Sequence, residues 1–184
     1  MTGISETEAP SGSTLRFPDG SLLELRPLGG NDGALLASLG NQLSAESGYR
    51  RFFSSGKGVY SKWVARLIGA DQVGFLVDGA VATNEFGSSL VAVAESIRYP
   101  DRPEWAEFAM VAVDPWQNLG VGTLLARHLA VRALAGGVRF WEAIMLAENM
   151  PMASVLDSIG PKVDLHVEPG LVTAVHELSA PRNP

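Results

Sequence analysis

The pattern of apolar and polar positions along the chain predicts seven β-strands. Val- and Leu-rich runs of strand length recur between turn residues, and Pro169-Gly170 between the last two runs marks a hairpin. The runs are SLLELRP (21–27), VGFLVDGAVAT (73–83), LVAVAESIRY (90–99), EFAMVAV (107–113), GVRFWEAIMLA (137–147), VDLHVE (163–168) and LVTAVHEL (171–178).

Helical spacing appears between these runs. GALLASLG follows a possible cap at Asn31 or Asp32, Ser44 can cap a second segment within 43–53, and SKWVARLIG (61–69) gives a third. TLLARHLAVRALA (123–135) predicts a long helix, and ENMPMASVLDSIG (148–160) predicts a short one. The order of elements predicts an α/β (α+β) fold, with a mixed, mostly antiparallel central sheet of six to seven strands and helices on both faces.

Composition narrows the class of protein. The chain has 184 residues, no Cys and a net charge of −6. The length fits one domain at 15–179, with a polar, disordered tail at 1–14 and a short tail at 180–184. Without Cys there is no disulfide, Cys–metal site or Cys nucleophile, which suits a reducing cytoplasm. The acidic charge argues against a nucleic-acid partner, and charges break every apolar run before membrane-spanning length.

The stretch DPWQNLGVG (114–122) joins the predicted strand 107–113 to the long helix. A helix N-terminus exposes unpaired backbone N–H groups and a positive partial charge, and glycines let a ligand approach those groups closely. The turn therefore either holds a phosphate group or is a glycine-permitted turn without a ligand. It is neither a dinucleotide fingerprint nor a Walker loop, because the spacing of both is absent.

This stretch resembles motif A of the GCN5-related N-acetyltransferase (GNAT) superfamily, in which Gln/Arg-x-x-Gly-x-Gly/Ala after a strand binds the pyrophosphate of acetyl-CoA. Gln117, Gly120 and Gly122 fill that pattern. ENMPMASVLDSIG resembles the motif B helix, with Asn149 in place of the Asn that contacts the cofactor arm. The resemblance covers roughly residues 20 to 178 and implies the GNAT fold.

Two segments resemble bacterial Pat-type protein lysine acetyltransferases in particular: LSAESGYRRFF (43–53) and AEFAMVAVDPWQNLGVG (106–122). Those enzymes often carry a second regulatory or ligase-like domain. This chain has no room for one, so such regulation is expected to be absent or to come from another chain.

The resemblance implies a set of site residues. Glu107 matches the Glu that serves as general base, and a base is needed because a lysine ammonium with a pKa of about 10.4 must lose its proton before it attacks. The alternative for Glu107 is a surface residue at a strand end. The resemblance also implies a splay between 107–113 and 139–147 that admits the pantetheine arm, and a bulge near Ala109–Val111. The implied cofactor-binding residues are Met110, Val111, Val113, Gln117, Asn118, Leu119, Gly120, Val121, Gly122, Thr123 and Asn149.

Several alternatives stay open at this point. Asn149 can also be a helix N-cap. The segment Tyr49–Phe53 can line the acceptor groove, or else Phe52 and Phe53 are core residues and the two arginines form a solvated face. Leu156 stands where many family members have the Tyr that protonates the leaving thiolate, so no phenol acid is expected there. The histidines have no metal-like spacing, and no metal is expected.

The function expected is acetyl transfer from acetyl-CoA to an amine, by direct attack in a ternary complex, in a monomer or homodimer. A protein lysine is the favoured acceptor because of the Pat-type segments. The alternatives are a small-molecule amine acetyltransferase and a non-catalytic acyl-CoA-binding or regulatory domain. An acidic groove, lined by side chains such as Glu46 or Glu95, would suit a basic acceptor.

Overall fold

The fold is a single nine-stranded sheet with helices packed against it, as seen in a computed structural model that describes residues 6–9, 12–17, 20–54 and 57–179. Among these residues the sheet order is β1-β2-β3-β4-β5-β6-β7-β9-β8. The strands are β1 (Glu6–Ala9), β2 (Gly12–Arg16), β3 (Leu22–Pro27), β4 (Phe75–Asn84), β5 (Gly87–Tyr99), β6 (Arg102–Ala112), β7 (Phe140–Leu146), β8 (Lys162–Glu168) and β9 (Leu171–Glu177). The helices are α1 (Gly33–Gln42), α2 (Ala45–Phe52), α3 (Lys57–Ile68), α4 (Val121–Ala135) and α5 (Met150–Asp157).

The mixed, mostly antiparallel sheet predicted from the sequence is confirmed. Every neighbouring pair of strands is antiparallel except β6 and β7, which are parallel. All seven predicted strands are present as β3 to β9. Because β6 and β7 run parallel, the chain crosses between them through α4, as a parallel pair requires.

The tail predicted for residues 1–14 differs from the structure. Residues 6–9 and 12–14 belong to β1 and β2, which extend the sheet beyond β3. Main-chain bonds to an existing strand edge need no apolar side chains, so the polar composition of this segment gave no strand signal. Residues 1–5, 10–11 and the predicted tail 180–184 lie outside the described residues.

The two faces of the sheet carry different helices. Asp78 of β4 pairs with Ala94 of β5, and Asp78 contacts His128 and Arg132 of α4. The next residue, Glu95, contacts Trp63 and Arg66 of α3. Successive side chains of a strand point to opposite faces, so α3 and α4 lie on opposite sides of the sheet. Helices on both faces are therefore confirmed.

Aromatic packing fixes the centre of the sheet on the α4 side. Phe108 of β6 and Trp141 of β7 are both fully buried, and their rings stack at 4.2 Å between centroids. The Trp141 indole Nε1 donates to Ser96 Oγ at 2.9 Å, so the polar atom of this large side chain has a partner. The stack ties β6 to β7 at the end of the short parallel pairing between them.

A short turn after β3 is fixed by an ion pair. Arg26 Nη2 donates to Asp32 Oδ1 at 2.6 Å, and Gly29 N donates to Asp32 Oδ2 at 2.9 Å. The hydrogen bond from the guanidinium holds the pKa of the Asp32 carboxyl below its usual range.

No helix among the described residues is long and apolar enough to cross a membrane.

Candidate functional site

The QNLGVG turn is fastened to the start of α2 by side-chain hydrogen bonds. Gln117 Nε2 donates to Ala112 O and to Ser47 Oγ, both at 2.9 Å. Ser47 Oγ in turn donates to Asp114 Oδ1 at 2.7 Å, and this bond is the main reason that the pKa of the Asp114 carboxyl lies below its usual range. The Gln117 side chain therefore positions the turn by bonding within the protein.

The backbone of the turn presents free amides at the start of α4. Asn118 (φ 59°) and Gly120 (φ 82°) are left-handed, a region that Gly enters without cost and Asn tolerates. The first helical hydrogen bond is donated by Leu124 N to Gly120 O at 3.0 Å. The three amides before it, at Val121–Thr123, have no acceptor within the helix and form an anion-binding end.

Gly122 lets α4 pass close to β6 and α5. A Cβ at this position would lie 3.1 Å from Met110 Cε and 3.5 Å from Val155 Cγ2. A side chain there would press on Met110 and occupy space beside the helix N-terminus. The second glycine of the motif is thus explained by close packing, and the first by its backbone conformation.

The strands β6 and β7 separate immediately after Glu107. Their parallel pairing consists of Trp105↔Phe140, Ala106↔Trp141 and Glu107↔Glu142. Both strands continue beyond this point without pairing to each other, β6 to Ala112 and β7 to Leu146. A fork therefore opens in the sheet, with Glu107 at its base and the QNLGVG turn at the end of one arm.

Backbone groups of β6 face into this fork. Val113 N donates to Val91 O at 2.9 Å, and the register between β5 and β6 is unbroken from Ala106 to Ala112. Hydrogen bonding alternates along an antiparallel strand, so the amide of Val111 faces β5 and the amide of Met110 faces the fork. The expected bulge near Ala109–Val111 is therefore absent, and only one of the two amides expected to meet the thioester carbonyl faces the fork.

Two adjoining cavities occupy the fork and its surroundings. The larger has a volume of about 290 Å³ and the smaller about 100 Å³. The residues that line both are Arg50, Arg51, Met110, Asn149 and Met152. The two cavities thus meet between α2, β6 and the start of α5.

Most of the predicted cofactor-binding residues come together around the larger cavity. Those that line it are Met110, Val111, Gln117, Asn118, Gly120, Gly122, Thr123 and Asn149. Val113 and Val121 have buried side chains that point into the core, and the Leu119 side chain is 51% exposed, so these three do not line it.

Glu107 lines the smaller cavity, on the same face of the sheet as Arg51. Burial lowers the pKa of Arg51 to about 10, and the charge of Arg66 adds to this effect while that of Glu107 opposes it. Phe108, the next residue of β6, points to the opposite face of the sheet, where it stacks on Trp141. The neighbours that the sequence did not indicate are Glu142 and Tyr99, whose hydroxyl donates to Glu142 Oε2 at 2.6 Å. Burial and this bond raise the pKa of Tyr99.

Glu95 does not line an acceptor groove. Its side chain is 2% exposed and accepts hydrogen bonds from Trp63 and Arg66, and it also pairs with Arg51. Glu46 is exposed and pairs with Arg50 one helical turn away. Because Arg50 and Arg51 both line the cavities, the groove beside Glu107 carries more positive charge than the sequence suggested.

Asn149 caps α5, with its side-chain oxygen accepting from Met152 N at 3.3 Å. The capping role is therefore present, and the same residue lines both cavities. Leu156 is fully buried in the core, so no phenol stands at that position. The linings also include Ser47 and Met152, which only the folding of α2 and α5 onto β6 brings there.

Comparison with known proteins agrees with this architecture. The acetyltransferase Pat of Mycolicibacterium smegmatis is 30% identical over 122 residues, which is 65% of this chain and 35% of that protein. The chain therefore spans about a third of the length of the curated relative that it matches. No protein-family profile matches the chain.

Solved structures share the fold. The GNAT domain of the S. lividans Pat protein has a TM-score of 0.76 and 27% identity, covering 93% of this chain and all of that one. A cAMP-binding acyltransferase from Mycobacterium smegmatis covers 98% of this chain and 51% of its own, with a TM-score of 0.61 and 23% identity. The Salmonella typhimurium protein yncA, solved with its cofactor acetyl-CoA, has a TM-score of 0.66 at 16% identity, covering 88% and 97%.

The sheet forks between β6 and β7, and a glycine turn precedes the N-terminus of α4. This combination is typical of the acetyltransferase fold. The chain has the fold of the GCN5-related N-acetyltransferase superfamily and is similar to its Pat-type domains. The named acetyltransferases among its relatives support acyl or acetyl transfer as the general reaction.

Proposed function

We propose that the protein transfers an acetyl group from acetyl-CoA to an amine, with Glu107 as the general base. The observation that carries this proposal is the fork between β6 and β7. It begins at Glu107 and leads along β6 toward the free amides of α4, so two adjoining cavities lie between a carboxylate and an anion-binding helix end.

The residues around the fork fit the donor substrate. The amides of Val121–Thr123 would hold the pyrophosphate, because a helix N-terminus favours negative charge. The amide of Met110 faces the fork and would hydrogen-bond within it, either to the arm of the donor or to the carbonyl that is attacked. Acetyl-CoA itself supplies an activated carbonyl on a thioester.

Glu107 would take the proton that the amine loses. The amine nitrogen bonds to the acyl carbon, the carbon–sulfur bond breaks, and the proton from nitrogen passes to the Glu107 carboxylate. Since the chain has no Cys to carry the acyl group, direct attack by the amine follows. Leu156 offers no proton, so the departing thiolate takes one from water.

A protein lysine is the acceptor we favour. Support comes from the similarity to the Pat acetyltransferase and to the GNAT domain of the S. lividans Pat protein. A small-molecule amine remains the alternative acceptor, and lysine peptides and polyamines in the same assay distinguish the two.

Glu142 supplies a matched control for Glu107. The two carboxylates are register partners on neighbouring strands, but Glu142 does not line either cavity. We would measure acetyl-CoA binding by calorimetry, and acetyl transfer to lysine peptides, for the wild type, Glu107→Gln and Glu142→Gln. We expect all three to bind, with kcat lowered about 10²- to 10⁴-fold only in Glu107→Gln.

Each other outcome has a definite meaning. Equal losses in both variants would remove the assignment of Glu107 as base. Binding by all three proteins without transfer to any amine by the wild type would favour a non-catalytic acyl-CoA-binding domain. If the wild type does not bind acetyl-CoA, the proposal fails.

A further inference from the structure

The edge strand β8 is exposed along its whole length. It is the last strand of the sheet, and all seven of its residues are exposed. Three of them are apolar: Val163 is 48% exposed, Leu165 50% and Val167 63%. An exposed edge with alternating apolar residues is a template for pairing with another strand.

The backbone of β8 determines how such pairing must run. The loop Pro169-Gly170 has two residues, so the flanking pair Glu168↔Leu171 is hydrogen-bonded, and bonding to β9 then alternates back along β8. Leu165 and Val167 therefore present their N–H and C=O groups to the free edge. The Leu165 amide agrees with this, because it donates to the Asp164 carboxylate at 2.8 Å instead of to β9.

The sequence of β8 is complementary to itself in reverse. In KVDLHVE, Lys162 and Glu168 lie at equal distances from the central Leu165, and so do Asp164 and His166. Reading the strand backwards exchanges each cationic or ionisable basic residue for an acidic one and leaves the apolar positions apolar. Opposite charges directly across an antiparallel pair are stabilising, and like charges are destabilising.

We propose that a second copy of this chain binds at β8, with the two β8 strands pairing antiparallel about Leu165. Asp164 then lies opposite His166 of the second copy, and Leu165 opposite its Leu165. Lys162 makes no pair with Glu168, because the register shift between Lys162 and Asp164 turns its side chain to the other face of the strand. Main-chain bonds replace the bond from the Leu165 amide to Asp164, and the Asp164 carboxylate becomes free to meet His166. The interface is isologous, as in most homodimers.

Charge selects this register over its neighbours. Slipping the pairing by two residues in one direction places Asp164 opposite its own copy, and in the other direction places Asp164 opposite Glu168. Slipping by one residue sets backbone groups that face the free edge against groups that face β9. Only the register centred on Leu165 satisfies both the backbone and the charges.

Cysteine cross-linking tests the register, because the chain has no Cys of its own. In this register the Cα atoms of the two Leu165 residues are about 5.5 Å apart, within disulfide range, whereas the two Val163 residues are about 13 Å apart. Under mild oxidation we expect Leu165→Cys to form a disulfide-linked dimer and Val163→Cys to remain uncross-linked.

Charge exchange tests the contacts independently of cysteine chemistry. We expect wild-type protein to dimerise in sedimentation experiments, and His166→Asp to raise the dimer dissociation constant about tenfold or more, since symmetry repeats the altered pair with Asp164 twice. Asp164→His/His166→Asp is expected to restore it to within about threefold. Thermal unfolding of each variant checks that the fold is kept, because His166 Nε2 also lies 3.3 Å from Glu168 Oε1.

The rival is a monomer with a protected edge. A register shift between Lys162 and Asp164 marks a bulge, and bulges and charges at sheet edges discourage pairing. A wild type that stays monomeric throughout the micromolar range would overturn the proposal. So would equal cross-linking of the Leu165→Cys and Val163→Cys variants, or failure of the double charge exchange to rescue dimerisation.

Discussion

Replacing Glu95 by Gln tests the buried ion-pair cluster that anchors the acceptor side of the site. The Glu95 carboxylate is buried beneath α2 and α3, where it pairs with Arg51 and Arg66 and accepts a hydrogen bond from Trp63. The substitution keeps the volume and removes the charge. Arg51, whose side chain is only 14% exposed, then remains buried without its anionic partner.

The magnitude follows from the exposure of the two arginines. Removing one member of a buried pair costs about 3–5 kcal/mol. The Arg66 side chain is 49% exposed and recovers hydration, so we expect a loss of about 2–4 kcal/mol in the free energy of unfolding. At about 2–4 °C per kcal/mol for a chain of this size, Tm should fall by roughly 4–16 °C.

Thermal unfolding followed by circular dichroism measures this change, with Glu46→Gln as the matched control. The Glu46 side chain is 70% exposed and its pair with Arg50 spans one helical turn, so its loss should cost no more than about 0.5 kcal/mol. Glu95→Leu alone should also lower the free energy of unfolding, because it leaves Arg51 unpaired. Adding Arg51→Met to this variant should recover at least half of that loss, because no charge is then left buried. Equal changes in Tm for Glu95→Gln and Glu46→Gln would refute the reasoning.

Three further predictions have defined outcomes. Gly160→Ala should cost about 3 kcal/mol or more in unfolding free energy, since its Cβ would lie 1.9 Å from Glu177 O. Gly170→Ala, in open space at φ 81°, should cost about 1 kcal/mol. Similar losses in the two variants would contradict this expectation. Asn149→Ala should cost about 1 kcal/mol through the lost cap, and an unchanged Tm would argue against that cap. The lowered pKa of Asp32 stabilises the folded state, and this stabilisation is fully present above the unfolded pKa of about 3.8. Asp32→Asn removes it, so the difference in unfolding free energy from wild type should shrink as pH falls below that value. A difference that stays constant with pH in denaturant titrations would refute this expectation.

Much of the fold could be predicted because its signals are local. Seven strands, the Ser44 cap of α2 and the glycine turn before α4 follow from the patterns of short segments. The strands β1 and β2 could not be predicted, because main-chain bonding of β2 to β3 and of β1 to β2 determines them and needs no apolar alternation. The burial of Glu95 could not be predicted either, because its partners Arg66 and Arg51 lie 29 and 44 residues away in sequence.

The candidate site divides in the same way. The motif residues of the turn could be located from their spacing, since a strand, a glycine turn and a helix are consecutive in the chain. The fork depends on where pairing between β6 and β7 stops, and Glu142 reaches Glu107 only through that parallel pairing. The direction of the Met110 and Val111 amides depends on the register with β5, which a single sequence does not encode locally.

The central claim is that acetyl-CoA binds in the fork with its pyrophosphate at α4. An amide NMR titration of the wild type with acetyl-CoA tests it most directly, because no residue has to be changed. We expect the largest shifts at the amides of Val121–Thr123 and at the fork-facing amide of Met110, with smaller shifts at Val113, whose amide bonds to β5. Saturable binding that leaves the Val121–Thr123 and Met110 amides unchanged, or no binding at all, would contradict it.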